Sequence, residues 1–112
     1  MHSDPAAPAP ESSAFIGFSR FVVRNGMEVD VCRAFQSRPH LVDQAPGFCR
    51  MEVLRPVEKP AEFWLMTWWT DEASFNNWHQ SHEYRQSHAG IPKGLKLLRG
   101  SVERRRLERI SG

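Results

Sequence analysis

Apolar and polar positions change period along the chain in a way that sets out six elements. "FIGFSRFVV", 15–23, places Phe15, Gly17, Ser19, Phe21 and Val23 on one side and Ile16, Phe18, Arg20 and Val22 on the other. That is the two-residue period of a strand rich in β-branched and aromatic types. "RNG" at 24–26 interrupts it, and "MEVDVCRAFQSR" then carries Met27, Val31, Ala34, Phe35 and Arg38 at helical spacing until Pro39. This predicts an amphipathic helix over 27–38. After the turn "APG", 45–47, "FCRMEVLRP" sets Phe48, Arg50, Glu52 and Leu54 against Cys49, Met51, Val53 and Arg55, a second strand. "VEKPAE" is a hairpin-like connection, and "FWLMTWWT", 63–70, is an almost continuous apolar run, as expected of a central strand covered on both faces. Thr70-Asp71-Glu72 opens a second helix with capping and acidic groups at its dipole-favoured end. The helical pattern runs from Ala73 towards Gly90 and Pro92, its most breakable stretch lying around His82 to Tyr84. "LKLLRGSVERRRLERI" supplies a loop and a last, less cleanly patterned strand.

Strand, helix, strand, strand, helix, strand is the split βαβ order of a ferredoxin-like α+β fold. Four strands under two helices leave one sheet face uncovered. Phe15, Phe21, Trp64 and Trp68 or Trp69 supply more aromatic surface than one face can hide, so a homodimer packed sheet against sheet, a dimeric α+β barrel, is expected. The opening "MHSDPAAPAPESSA" is poor in large apolar residues, so residues 1–13 are expected to be a disordered tail and 14–112 a single domain.

Bulk properties narrow the field without naming a task. With 112 residues, one domain is expected. A net charge of +2 is too small for nucleic-acid binding to follow from charge, and Arg104-Arg105-Arg106 reads as a solvated strand face. Cys32 and Cys49 lie outside any C-x-x-C spacing and are expected to be reduced, half-buried thiols. Neither a signal-peptide pattern nor a span-length apolar run is present, so no membrane is expected and cytoplasmic residence follows by default.

Candidate chemistry gathers on the second helix, where "TDEASFNNWHQSHEYRQSH", 70–88, holds His79, His82, His88 and Trp78. Trp78, Ser81, Arg85 and His88 share one helical stripe, and Phe75, Trp78 and His82 an overlapping one. Ten residues from Trp78 to His88 span about 15 Å of unbroken helix. A flat ligand as broad as a porphyrin can meet both, and a haem pocket would use His88 as axial nitrogen donor with aromatic walls. The bland readings differ residue by residue: Trp78 as core, His88 as a cap or surface group, and His79, His82 and His40 as solvent-facing. Ser19 would then be a satisfied strand hydroxyl. No structural zinc spacing, nucleophile triad or glycine-rich phosphate loop occurs, so a hydrolase reading has no basis.

From about Phe15 to Ile110 the chain resembles the antibiotic biosynthesis monooxygenase superfamily, and within it the IsdG-type haem-degrading monooxygenases. The resemblance is carried by "APGFCRMEVLRP" and by "WWTDEASFNNWHQSHEYRQSH", a strand-end tryptophan followed by F-x-x-W-x-x-S and a histidine ten residues past the tryptophan. It implies His88 as the proximal ligand of haem iron and Trp78 as the group that presses the porphyrin out of plane. The family's distal asparagine falls on Ser19, a departure, because serine is shorter and lacks the amide donor. Haem would be substrate and cofactor, opened with O2 and electrons from an external donor, an unidentified reductase, with release of iron. Arg85, Arg20 and Arg24 are candidates to hold the propionates. The alternatives are a haem-binding or storage protein without turnover, and a cofactor-free monooxygenase of polycyclic phenols.

Overall fold

A computed structural model describes residues 13–38, 40–81, 84–85 and 91–112. Its elements are β1 (Phe15–Val22), α1 (Glu28–Gln36), a 3₁₀ turn (Leu41–Gln44), β2 (Phe48–Leu54), β3 (Glu62–Trp69), α2 (Glu72–His79) and β4 (Glu103–Glu108). The strands form one antiparallel sheet in the order β2-β3-β1-β4, the ferredoxin-like α+β topology that the element order predicts. The expected tail lies outside the described residues except for Ser13, which is buried and whose carbonyl accepts from the Arg109 guanidinium.

Register fixes which side chains share a face. Across β1 and β3, Phe15 opposes Trp69, Gly17 opposes Thr67, Ser19 opposes Leu65 and Phe21 opposes Phe63. On the other flank of β1, Gly17 opposes Arg106 and Ser19 opposes Arg104. Opposed residues of an antiparallel pair point to the same side, so these rows all lie on the helix-covered face. The core on that face is divided. One cluster joins Phe15, Val42, Trp69 and Trp78, with Phe48, Met51 and Phe75 packed on it. The other joins Val23, Val31 and Phe63, with Phe21, Phe35 and Val53.

Three elements differ from the sequence pattern. Strict alternation in β2 puts Phe48 with Arg50 and Glu52, yet Phe48 packs edge-on to Trp69 in the first cluster, ring centroids 5.4 Å apart. A bulge between Phe48 and Arg50 resolves this, because one extra residue reverses the side on which the rest of the strand points. The second helix runs unbroken only to His79, and Tyr84 and Arg85 are helical again; residues 82–83 and 86–90 lie outside the described residues. Just past His79 the Ser81 hydroxyl donates to the Trp78 carbonyl at 2.6 Å and accepts from the Tyr84 amide at 3.1 Å, taking backbone groups that a continuing helix needs. The 3₁₀ turn was not foreseen. It delivers Val42 into the core behind His40, whose φ of 59° lies in the left-handed region.

Gly17 and Gly47 mark where α2 closes on the sheet. A Cβ on Gly17 would lie 2.4 Å from the Phe75 ring, and one on Gly47, at φ +82°, would lie 2.2 Å from Ser74 Oγ. The opposite sheet face carries Ile16, Phe18, Trp64, Met66, Trp68 and Leu107, with no helix over it among the described residues. Polar groups partly screen it: the Arg50 guanidinium sits 3.9 Å over the Trp68 ring, and Arg20 pairs with Glu62 at 2.9 Å.

Candidate functional site

Ser19 lies at the middle of β1, in the row between the two core clusters. Leu65, its β3 neighbour, is apolar yet belongs to neither cluster, and both side chains are only half-buried. The row is closed at β2 by Val53, on the second cluster, and reaches the sheet edge at Arg104. On one side stands Phe75 over Gly17. On the other stand Phe21 and Phe63, stacked with centroids 5.5 Å apart. Gly17 and Phe21 are four residues apart, about 13 Å along a strand. The two aromatic groups therefore flank the Ser19–Leu65 row on either side.

The other candidates distribute as follows. Trp78 is buried, 8% exposed, among Phe15, Val42 and Trp69, with the Tyr84 ring edge-on at 6.0 Å. It therefore belongs to the wall nearest α2 and contributes apolar core as well. His88 and His82 lie outside the described residues. His79 is exposed at the end of α2, stacked between Phe75 and Tyr84 at 4.1 and 4.6 Å, and its Nδ1 donates to the Phe75 carbonyl at 2.9 Å. His40 is exposed, 3.1 Å from an Asp43 carboxylate oxygen.

Of the three arginines proposed from sequence to hold propionates, Arg20 is on the opposite side of the sheet from Ser19. It follows Ser19 in a strand, so its side chain points to the open face. There its Nε donates to Glu62 at 2.9 Å and its Nη1 to the Ser101 carbonyl at 3.0 Å. The guanidinium holds the Glu62 carboxyl below its ordinary range, helped by Trp64 Nε1 donating at 2.7 Å. Arg24 is exposed beyond the end of β1, its amide bonded to the Lys96 carbonyl, and Arg85 is exposed beyond α2. The structure does not gather Arg24 and Arg85 with Ser19.

Local chemistry fixes the walls. Asp71 caps α2, its carboxylate accepting from the Ser74 amide at 2.8 Å, a bond that also lowers its pKa. The cap sets the first turn so that Phe75 lands on Gly17. A separate concavity of about 320 Å³ lies between the 3₁₀ turn and α2, lined by Leu41, Gln44, Ser74, Asn77 and Trp78; Ser19 takes no part in it. Among the described residues, no group of three or more His, Cys, Asp or Glu side chains is placed to hold a bare metal ion. Sequence reasoning placed Phe75 against the sheet but missed its seat over Gly17, and missed Arg104 as a neighbour of Ser19. Gly17 opposite a helix was the available signal for the first, and strand pairing, which no local pattern encodes, was needed for the second.

Comparison with known proteins agrees with this architecture. Residues 18–90 match the model of the antibiotic biosynthesis monooxygenase family. A haem oxygenase (mycobilin-producing) of Mycobacterium tuberculosis is 33% identical over 75 residues, covering 62% of this chain and 70% of the relative. The structure of the haem degrader MhuD from Mycobacterium tuberculosis, with two haems bound in its active site, superposes with a TM-score of 0.70 at 21% identity, covering 88% of this chain and 97% of that one. SnoaB, a cofactor-independent oxygenase from Streptomyces nogalater, superposes with a TM-score of 0.69 at 19% identity, covering 88% and 96%. On the matched residues and the identity of these relatives, the chain belongs to the antibiotic biosynthesis monooxygenase family, in its IsdG-type branch.

Proposed function

We propose that the protein is a haem-degrading monooxygenase that opens the porphyrin ring with O2 and electrons from an external reductase and releases the iron. The observation that supports this most is the divided core, which leaves the half-buried Ser19–Leu65 row between aromatic walls. A relative at 33% identity is a haem oxygenase. The donor set fits the substrate: an aliphatic floor and aromatic sides suit the disc, one hydroxyl faces it, and the row ends at an arginine on the solvent edge. In this reading His88 would hold the iron through an imidazole nitrogen, which requires the neutral ring. Bound haem supplies the iron at which O2 is activated. The chain's own residues would orient the ring: Trp78 and Phe75 would form one wall, Phe21 and Phe63 the other, and the Ser19 hydroxyl would stand on the floor between them. The protein acts as a homodimer in the cytoplasm, the open sheet face covered by a second copy.

Hemin titration tests the proposal. One equivalent per subunit should give a shifted Soret band, ascorbate in air should then bleach it with release of ferrous iron, and His88→Ala should abolish the axial-ligand signature. No Soret shift would return the protein to the cofactor-independent side of its family. A second reading, haem binding without turnover, is favoured by Ser19 itself, whose hydroxyl is shorter than an amide. A Soret band that persists under ascorbate in air selects it.

A further inference from the structure

We propose that Arg104 is the residue that holds a carboxylate of the bound macrocycle. This rests on the haem reading above and names a contact that the second helix and its flanking arginines do not provide. Three observations converge on it. Arg104 directly opposes Ser19 across the β1–β4 pair, so the two side chains leave the same face of the sheet from Cβ atoms about 5 Å apart. In the row they share, Ser19, Leu65 and Arg104 belong to neither core cluster, and only Val53 at its far end packs on the second. β4 is the edge strand, so Arg104 stands where the cleft meets solvent, with the aromatic walls further in.

Its neighbours are committed elsewhere. Arg105 pairs with Glu103, Arg106 pairs with Glu72 at 3.3 Å and lies 5.8 Å over the Phe75 ring, and Arg109 donates to the Ser13 carbonyl. The Arg104 side chain makes no ion pair, hydrogen bond or ring contact among the described residues. An exposed guanidinium at the open end of an amphiphilic slot presents a planar fork of donors to a carboxylate. The ligand class is therefore a flat apolar macrocycle whose carboxylates all lie at one edge. Such a ligand enters with its apolar rim towards β3 and its acidic rim towards β4.

The test compares hemin with its dimethyl ester, which keeps the ring and iron and loses both negative charges. Arg104→Met keeps most of the aliphatic stem and removes the charge; Arg99→Met, at an exposed loop position, makes the same change in net charge elsewhere. Titrations followed at the Soret band should show hemin binding weakened about tenfold in Arg104→Met, with the ester bound equally by both proteins and Arg99→Met matching the unaltered chain. Unchanged hemin affinity in Arg104→Met, or equal losses for acid and ester, would overturn the assignment while leaving the haem reading intact. If the unaltered protein binds neither ligand, the haem reading and this assignment both fall.

Discussion

Replacing Gly17 by alanine puts a single methyl group at the point where α2 meets the sheet. The added carbon would lie 2.4 and 3.1 Å from Phe75 ring atoms and 2.9 Å from Thr67 Oγ1. Carbon atoms pack at about 3.5–4.0 Å, so the ring must retreat by about 1 Å. It has little room to do so, since Phe15, Trp69 and His79 surround it at centroid distances of 5.1, 6.0 and 4.1 Å. Thr67 Oγ1 is also held, accepting from Trp69 Nε1 at 2.8 Å. Overpacking of this kind costs about 1–3 kcal/mol, offset by about 0.4–1 kcal/mol because alanine restricts the unfolded chain. The balance, about 0.5–2 kcal/mol, lowers Tm by about 3–12 °C in a domain of this size. Thermal denaturation followed by circular dichroism measures it. Phe75→Leu should cost less in the Gly17→Ala background than alone, because the shortened side chain removes the clash that the methyl creates. Equal or greater stability of Gly17→Ala, or additive effects in the double variant, would show that the helix–sheet contact is not the constraint argued for.

Three further outcomes are expected. Glu62, held below its ordinary pKa of 4.5 by Arg20 and Trp64, stabilises the fold fully above that value and progressively less as pH falls through its folded-state pKa. The Tm advantage of the unaltered protein over Glu62→Gln should therefore shrink below about pH 4.5, and a pH-independent difference would contradict the pairing. Trp64→Glu places a charge on the open sheet face beside Phe18 and removes the donor to Glu62; it should lower Tm and convert the proposed dimer to a monomer on size-exclusion chromatography, and an unchanged elution volume would contradict pairing through this face. Ser19→Asn restores an amide donor in the central row and should raise the rate of hemin loss under ascorbate, whereas an unchanged or lower rate would separate Ser19 from the chemistry.

Much of the fold was legible because its strands obey alternation. The two sides assigned to β1 are the two faces observed, and the aromatic run of β3 is central in the sheet. What escaped has a local cause each time. The bulge at Cys49 changes the face of Phe48 without changing composition. The Ser81 hydroxyl ends α2 by a hydrogen bond that helix propensity does not register. The candidate site was legible in kind and less so in membership. Ser19 and Trp78 lie on the helix-covered side and Arg20 on the other, for a reason the sequence itself contains: neighbouring strand residues point to opposite faces. Arg104 was passed over as part of a basic run because its relation to Ser19 exists only through pairing of distant segments.

The divided core follows from a mismatch of lengths. β1 and β3 each have eight residues, about 26 Å at strand spacing, while α1 and α2 have nine and eight, about 13 and 12 Å. Each helix serves one end of the strands, α1 over Phe21 and Phe63 and α2 over Phe15 and Trp69. The fifth residue of β1 falls between them, and it is a serine. An apolar residue there would draw the two clusters into one core; a small hydroxyl, costly to bury without a partner, leaves the row half-buried between them. Ser19→Leu therefore separates shape from chemistry. It should raise thermal stability by joining the clusters while abolishing hemin binding, and a variant that gained stability yet still bound hemin would place the site elsewhere on the protein.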